Sequence, residues 1–279
     1  MGRQELAMAI LVVEGLLGCG DPGTSDVPGA TRVYLLASAD LPQNMLEPGV
    51  GFNLDGRVSD GATTACDGAA DLVSATGEEG IDNSLQVLSA TIGHVPTTAF
   101  VDAVLEQIRS GEYLVLIEVT EIDSFEDDPS VGVRLFLGRS SGEVLVAAGM
   151  AVEGQSFQQL GEDLANVPVG SAAIVAGVLT FESPSFPLSF ALDAEPATLS
   201  LLDTRVRAGI GDTALTDGEV GGHVSVASYL ALSPGNDEEF VRSVGLPDLD
   251  PDPADPTLCR AISVGFQFTA VTANVVGAE

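Results

Sequence analysis

Tyr113-Leu114-Val115-Leu116-Ile117-Glu118-Val119-Thr120-Glu121-Ile122 is the stretch at which the chain turns from helical to extended patterning. It is Val- and Leu-rich with partial alternation, the pattern of a strand whose inner face meets a second apolar face. Working outward, Val131 to Leu137 and Glu143 to Ala148 read the same way, joined by a tight turn over Gly138 to Gly142. Ala172 to Phe181, Phe186 to Leu192 and Ala197 to Ile210 follow, separated by Pro and Gly turns, and Ala261 to Val276 is a long final strand. Upstream, Arg32 to Ala37 and Val50 to Leu54 read as short strands split by a Pro-containing turn, and Gly56 to Gly80 as a long loop holding Cys66. Helical pieces punctuate this pattern. Asn83-Ser84-Leu85-Gln86 is a capping box opening a helix to about Ile92. Thr97 to Ser110 carries Val101, Val104, Leu105 and Ile108 on one face, with Gly111 at its C-cap. Ser225 to Leu232 and Asp237 to Val244 read as short helices, and residues 247 to 256 as a Pro/Asp loop. With no repeat or linker after residue 30, the expectation is one mainly β domain over residues 31 to 279. Its expected form is a two-layer antiparallel β-sandwich, jelly-roll-like, with short helical insertions.

Charge narrows the function. The 279 residues carry 41 acids against 10 bases, all arginine, for a net charge of −31. Such a chain repels phosphate backbones, which excludes nucleic acid as a partner. The absence of lysine excludes Schiff-base chemistry and a Walker-type phosphate loop. At 45% hydrophobic the chain can bury a sizeable core. Its longest apolar run, residues 6 to 18, is too short to span a bilayer as a helix.

That run follows Arg3 and ends at Leu16-Leu17-Gly18-Cys19, which fits a secretory signal over residues 1 to 18. It resembles the lipobox of bacterial lipoproteins, and the resemblance implies lipidation of Cys19. Residues 19 to 30 then form the anchor and a flexible tether, and Gly20 after Cys19 implies sorting to the outer membrane. With Cys19 acylated, Cys66 and Cys259 remain, and in an oxidising compartment the pair reads as a disulfide tying an early segment to the last strand.

The sharpest local chemical signal is Glu121-Ile122-Asp123-Ser124-Phe125-Glu126. It resembles the Glu-x-Asp-x-x-Glu signature of laminarinase-type β-glucanases, which implies Glu121 as nucleophile, Asp123 on the same face and Glu126 as acid/base. Two carboxylates about 5 Å apart suit retaining glycoside hydrolysis. Against this stand the absence of Trp and the acidic run Asp127-Asp128-Pro129, which reads as a solvated turn. Gly138-Arg139-Ser140-Ser141-Gly142 matches the nucleophile elbow but lies between strands, and only His94 and His223 offer a base. Asp248, Asp250, Asp252 and Asp255 begin like a calcium loop, but Pro253 stands where Gly is needed and Cys259 where Glu is needed. Calcium is the one cofactor the residues suggest, at Asp55, Asp82 and Asn83, set beside a reading of the same residues as turn and helix cap. No zinc spacing occurs.

Gly51-Phe52-Asn53-Leu54-Asp55-Gly56, Gly80-Ile81-Asp82-Asn83 and the closing Ala261-Ile262-Ser263-Val264-Gly265-Phe266-Gln267-Phe268-Thr269-Ala270-Val271 together resemble uncharacterised envelope lipoproteins of predatory soil bacteria. The resemblance implies a cell-envelope lipoprotein. The expectation is a lipid-anchored, non-enzymatic binding or structural module, in contact with the membrane through its lipid and with a glycan or protein at the cell surface. The alternative is a surface glycoside hydrolase.

Overall fold

The computed structural model describes residues 28–42, 46–60, 66, 70–87, 105–140, 142–147, 150–160, 167–168, 172–192, 195–232, 238–243, 247–251, 253–254 and 258–276. The leader, Cys19, His94, Asp252 and Asp255 lie outside the described residues.

β1 (Ala30–Asp40) is followed by a small ribbon of β2 (Leu72–Val73) and β3 (Glu79–Ile81), then by helical turns α1 (84–87) and α2 (105–110). β4 (Leu114–Ile122) and β5 (Asp128–Ser140) precede four short strands: β6 (Val146–Ala147), β7 (Met150–Ala151), β8 (Gln155–Gln159) and β9 (Val167–Pro168). β10 (Ala172–Val175), β11 (Val178–Leu192), β12 (Glu195–Ile210) and β13 (Ala214–Ser225) lead to α3 (Val226–Leu232) and α4 (Glu238–Ser243). β14 (Leu249–Pro251) and β15 (Cys259–Val276) end the fold.

Eight of these strands pair in the order β1-β4-β5-β10-β11-β12-β13-β15, and β15 returns to β1 with Val33 opposite Ala273. Every pairing round the ring is antiparallel, so the sheet is a closed barrel. The interior is filled by side chains such as Tyr34, Leu135, Phe181, Val206, Val220 and Phe266, all buried. An interior of eight strands is narrow enough for this. Phe186 and Phe266 meet edge to face, with centroids 6.3 Å apart. Outside, ion pairs join neighbouring strands, Arg134 to Glu118 at 2.8 Å and Arg207 to Glu219 at 2.5 Å. Apolar inside and charged outside is the reverse of a lipid-facing barrel.

The mainly β, antiparallel expectation therefore stands, but its layering is corrected. The second apolar layer that the sequence pattern suggests is real around β1, β4 and β5, where the outward residues Leu35, Leu116 and Phe136 are buried too. It is built by the connecting segments: Ile108, Val144, Ala151 and Phe157 belong to the same apolar cluster. β8 contributes by running between the ends of β15 and β5. One closed sheet with a partial outer coat has the same hydrophobic pattern as two facing sheets.

Three local expectations change as well. Residues 138 to 142 do not make a hairpin between β5 and the next strand, because β6 pairs with β7. Ala172 to Phe181 is broken at Ala176 and Gly177, both with positive φ, into β10 and β11. Val50 to Leu54 is not a strand of the barrel. It belongs to a clasp, residues 46 to 87 among those described, that lies on the outer face of β13 and β15.

The seat of the clasp is made of glycine. Gly221 and Gly265 are register partners on β13 and β15. A Cβ on Gly221 would stand 2.7 Å from the Phe52 ring, and one on Gly265 would collide with the Val50 carbonyl. Bare backbone there lets another backbone approach closely. Asn83 Nδ2 then donates to the carbonyls of Val50 (2.9 Å) and Gly265 (3.0 Å), and the Ser84 N–H to Ser263 Oγ (2.7 Å). Arg205 donates to the Asn53 carbonyl at 2.6 Å, and Arg207 stacks 5.3 Å from the Phe52 ring centroid.

Candidate functional site

The Glu121–Glu126 stretch is the last two residues of β4 and the turn that leads from it to β5. Glu121, with φ of 58°, and Glu126 are both exposed. The polar groups between them accept from backbone N–H groups. Asp123 accepts from the Gly29 N–H at 2.9 Å, and Ser124 Oγ from the N–H groups of Glu126 and Asp127. Asp127 accepts from Ala176 at 3.0 Å. Asp128 is not solvated as its sequence context suggests: it is buried and accepts from the N–H groups of Asp123 (2.7 Å) and Ser130 (3.1 Å). The aromatic ring of this turn, Phe125, lies against the Arg32 guanidinium, 5.9 Å away. Ser140 of the elbow-like motif likewise serves local backbone, accepting from the Gly142 N–H at 3.2 Å.

Asp55, Asp82 and Asn83 are brought together inside the clasp. Asp82 Oδ2 accepts from the N–H groups of Leu54 (2.6 Å) and Asp55 (3.3 Å), and Asp55 Oδ1 from Arg57 (2.8 Å). Asn83 Oδ1 caps α1 by accepting from Gln86 at 3.1 Å. Burial pushes the Asp82 carboxyl up to about 7; the Leu54 N–H opposes this and the Asp55 charge adds to it. Among the described residues no group of three His, Cys, Asp or Glu side chains is arranged to hold a metal.

Asp248 gave no signal of its role in the sequence beyond an acidic run. It is buried beside β15, where it accepts from the Ser263 N–H at 2.7 Å and from the Ser263 hydroxyl. Its carboxyl is also pushed up to about 7, first by burial, with the Ser263 bonds opposing and the Asp82 charge adding. Ser263 thus ties β14, β15 and the clasp together. Nearby, Cys66 and Cys259 stand at disulfide distance, with Cα atoms 5.2 Å apart across 193 residues of sequence.

A cleft of about 440 Å³ lies on the barrel's outer side, lined by residues of α3, α4, β12, β13, β14 and β15. That volume is in the range of small-molecule sites. Leu202, Val226, Ala227, Leu230 and Ala261 form its apolar wall. His223, Arg242 and Arg260 also line it, three of the chain's twelve basic side chains, together with Ser225 and the carboxylates of Glu238 and Asp250. Arg242 is fixed by Glu238 (2.7 Å) and by the Cys259 carbonyl (2.8 Å). Arg260 is held by Asp250 at 2.9 Å, and His223 Nε2 lies 3.7 Å from the exposed Asp203. Ser225 Oγ accepts from the Ser228 N–H at 3.0 Å and shares a hydrogen bond with its hydroxyl. Of these groups the sequence reading singled out His223, as a base, and Asp250, in a calcium-loop-like run. The others are scattered over 60 residues, and no spacing links them.

The chain matches no protein-family model, no curated protein and no solved structure.

Proposed function

We propose that this chain is an exported lipoprotein, held at the outer membrane by lipid on Cys19, whose barrel is a binding module of the cell envelope. The observation that carries the reading is the meeting of Cys66 with Cys259 from distant parts of the sequence. A pair so placed closes and persists as a disulfide in an oxidising compartment, outside the cytoplasm. The leader-like residues 1 to 18 and the tether over residues 19 to 30 support the route, and the net charge of −31 suits an exposed extracytoplasmic surface. The cleft lined by His223, Arg242 and Arg260 supplies the binding face. Metabolic labelling with a radioactive fatty acid tests the anchor. Wild-type chain takes up label, and Cys19→Ala loses both label and membrane association; an unlabelled wild-type chain overturns the reading.

A further inference from the structure

We infer that the cleft bounded by α3, α4 and β13 takes an amphipathic monocarboxylate, an apolar chain ending in a single carboxylate; this deepens, and rests on, the binding-module reading. The wall made by Leu202, Val226, Ala227 and Leu230 offers an apolar body a surface to bury. Leu202 is 39% exposed and Ala227 is exposed, while Val226 is buried.

The polar end is chosen by the arginines. Arg260 uses only Nη2, toward both oxygens of Asp250, so among the described residues its Nε and Nη1 keep hydrogens to donate. His223 lines the same space, with its Nε2 3.7 Å from Asp203. Arg242 is held in place by Glu238 and the Cys259 carbonyl, which engage each of its three guanidinium nitrogens. An arginine with free donors holds a carboxylate or a phosphate through charge-assisted hydrogen bonds, and of the two the carboxylate carries the single charge. A net charge of −31 opposes any anion at long range, so recognition has to act at contact. That favours one charge over a polyanion. The apolar body supplies the rest of the affinity, in proportion to the area it buries.

The shared chemistry, an apolar chain with one terminal carboxylate, is found in a fatty acid and at the C-terminus of an apolar peptide. The test titrates the full chain calorimetrically with decanoate, 1-decanol, decyltrimethylammonium, and a blocked trileucine with free or amidated C-terminus. Decanoate is expected to bind saturably, more tightly than the alcohol or the ammonium. If the peptide is the better source, the free acid outbinds its amide and outbinds decanoate. Arg260→Gln weakens the carboxylates by about tenfold and leaves the alcohol unchanged, as loss of a charge-assisted hydrogen bond requires. Leu202→Asp, on an exposed position, weakens all of them while circular dichroism stays native. The inference is overturned if the ammonium binds as tightly as decanoate, if decanoate does not saturate, or if Arg260→Gln leaves decanoate binding unchanged. The fatty-acid labelling of Cys19 is independent of these titrations, so failure of the ligand class is distinguishable from failure of the envelope reading.

Discussion

The two faces of the β13–β15 pair are built on opposite principles. Inward, Val220, Phe266 and Phe268 are buried among apolar neighbours round the whole barrel. Outward, the same strands offer Gly221, Gly265 and Ser263, and the clasp is held there by hydrogen bonds from Asn83 and Ser84 and by the buried carboxylates Asp82 and Asp248. The inner face is non-directional and tolerates a range of apolar shapes of similar volume. The outer face depends on specific atoms at hydrogen-bond distance, and each buried partner left alone carries its full desolvation penalty. One face makes the barrel; the other places the segment that leads to the cysteine pair.

The strongest break of this comparison is on the inner face. Phe266→Ala is expected to lower stability by about 4 kcal/mol, as truncation of a fully buried aromatic does. The loss should appear as one cooperative shift of the denaturant midpoint for the whole domain. Next comes the covalent tie of the outer segment. Cys66→Ser is expected to cost about 3 kcal/mol if the pair is closed. Mass spectrometry without reductant should show a peptide joined through Cys66 and Cys259 in the wild type, and two alkylatable thiols would contradict the tie.

Gly265→Ala probes the seat of the clasp directly. Overpacking against the Val50 carbonyl is expected to cost about 2 kcal/mol. Limited proteolysis should then cut within residues 46 to 87 while the barrel signal in circular dichroism persists. Loss of the barrel signal at the same point would show that the two faces are not separable.

The smallest effect is pH. The folded-state carboxyls of Asp82 and Asp248 lie near 7, above their ordinary value of 3.8. A folded value raised in this way gives stabilisation that is complete below about pH 4 and lost as pH rises through 7. The clasp is therefore expected to loosen between about pH 4 and 7 by on the order of 1 kcal/mol, discounted for local relaxation. Hydrogen exchange of residues 46 to 60 against pH measures this, and Asp248→Asn should flatten the slope. Faster exchange on acidification would have the sign wrong.

Legibility in the sequence follows the same division. β1, β4, β15, α3 and α4 lie close to where periodicity places them, because each is a local pattern of apolar spacing and caps. β13 escaped notice because Gly218, Gly221 and Gly222 interrupt its pattern, and in a single sequence such glycines read as a turn. In the folded chain Gly218 makes room for the Phe268 ring and Gly221 for Phe52. The Glu121–Glu126 motif was legible as letters, but its use was not: between the two glutamates the Asp123 carboxylate accepts from the Gly29 N–H and the Ser124 hydroxyl from the backbone of Glu126 and Asp127. The cleft was not legible at all, since its residues meet only after α3, α4 and β14 fold back on the barrel.

What the sequence determined by itself was therefore local or compositional: a mainly β antiparallel chain, short helices near residues 226 to 243 and a net charge of −31. Only the tertiary structure decided that the sheet closes on itself, that Ser263 joins β14 to the clasp, and that His223, Arg242 and Arg260 share one cleft. Closure depends on the summed register of eight pairings, four of them between strands that are not consecutive, and a one-residue slip in any of them moves every side chain on that strand to the other face. No window of neighbouring residues carries that sum.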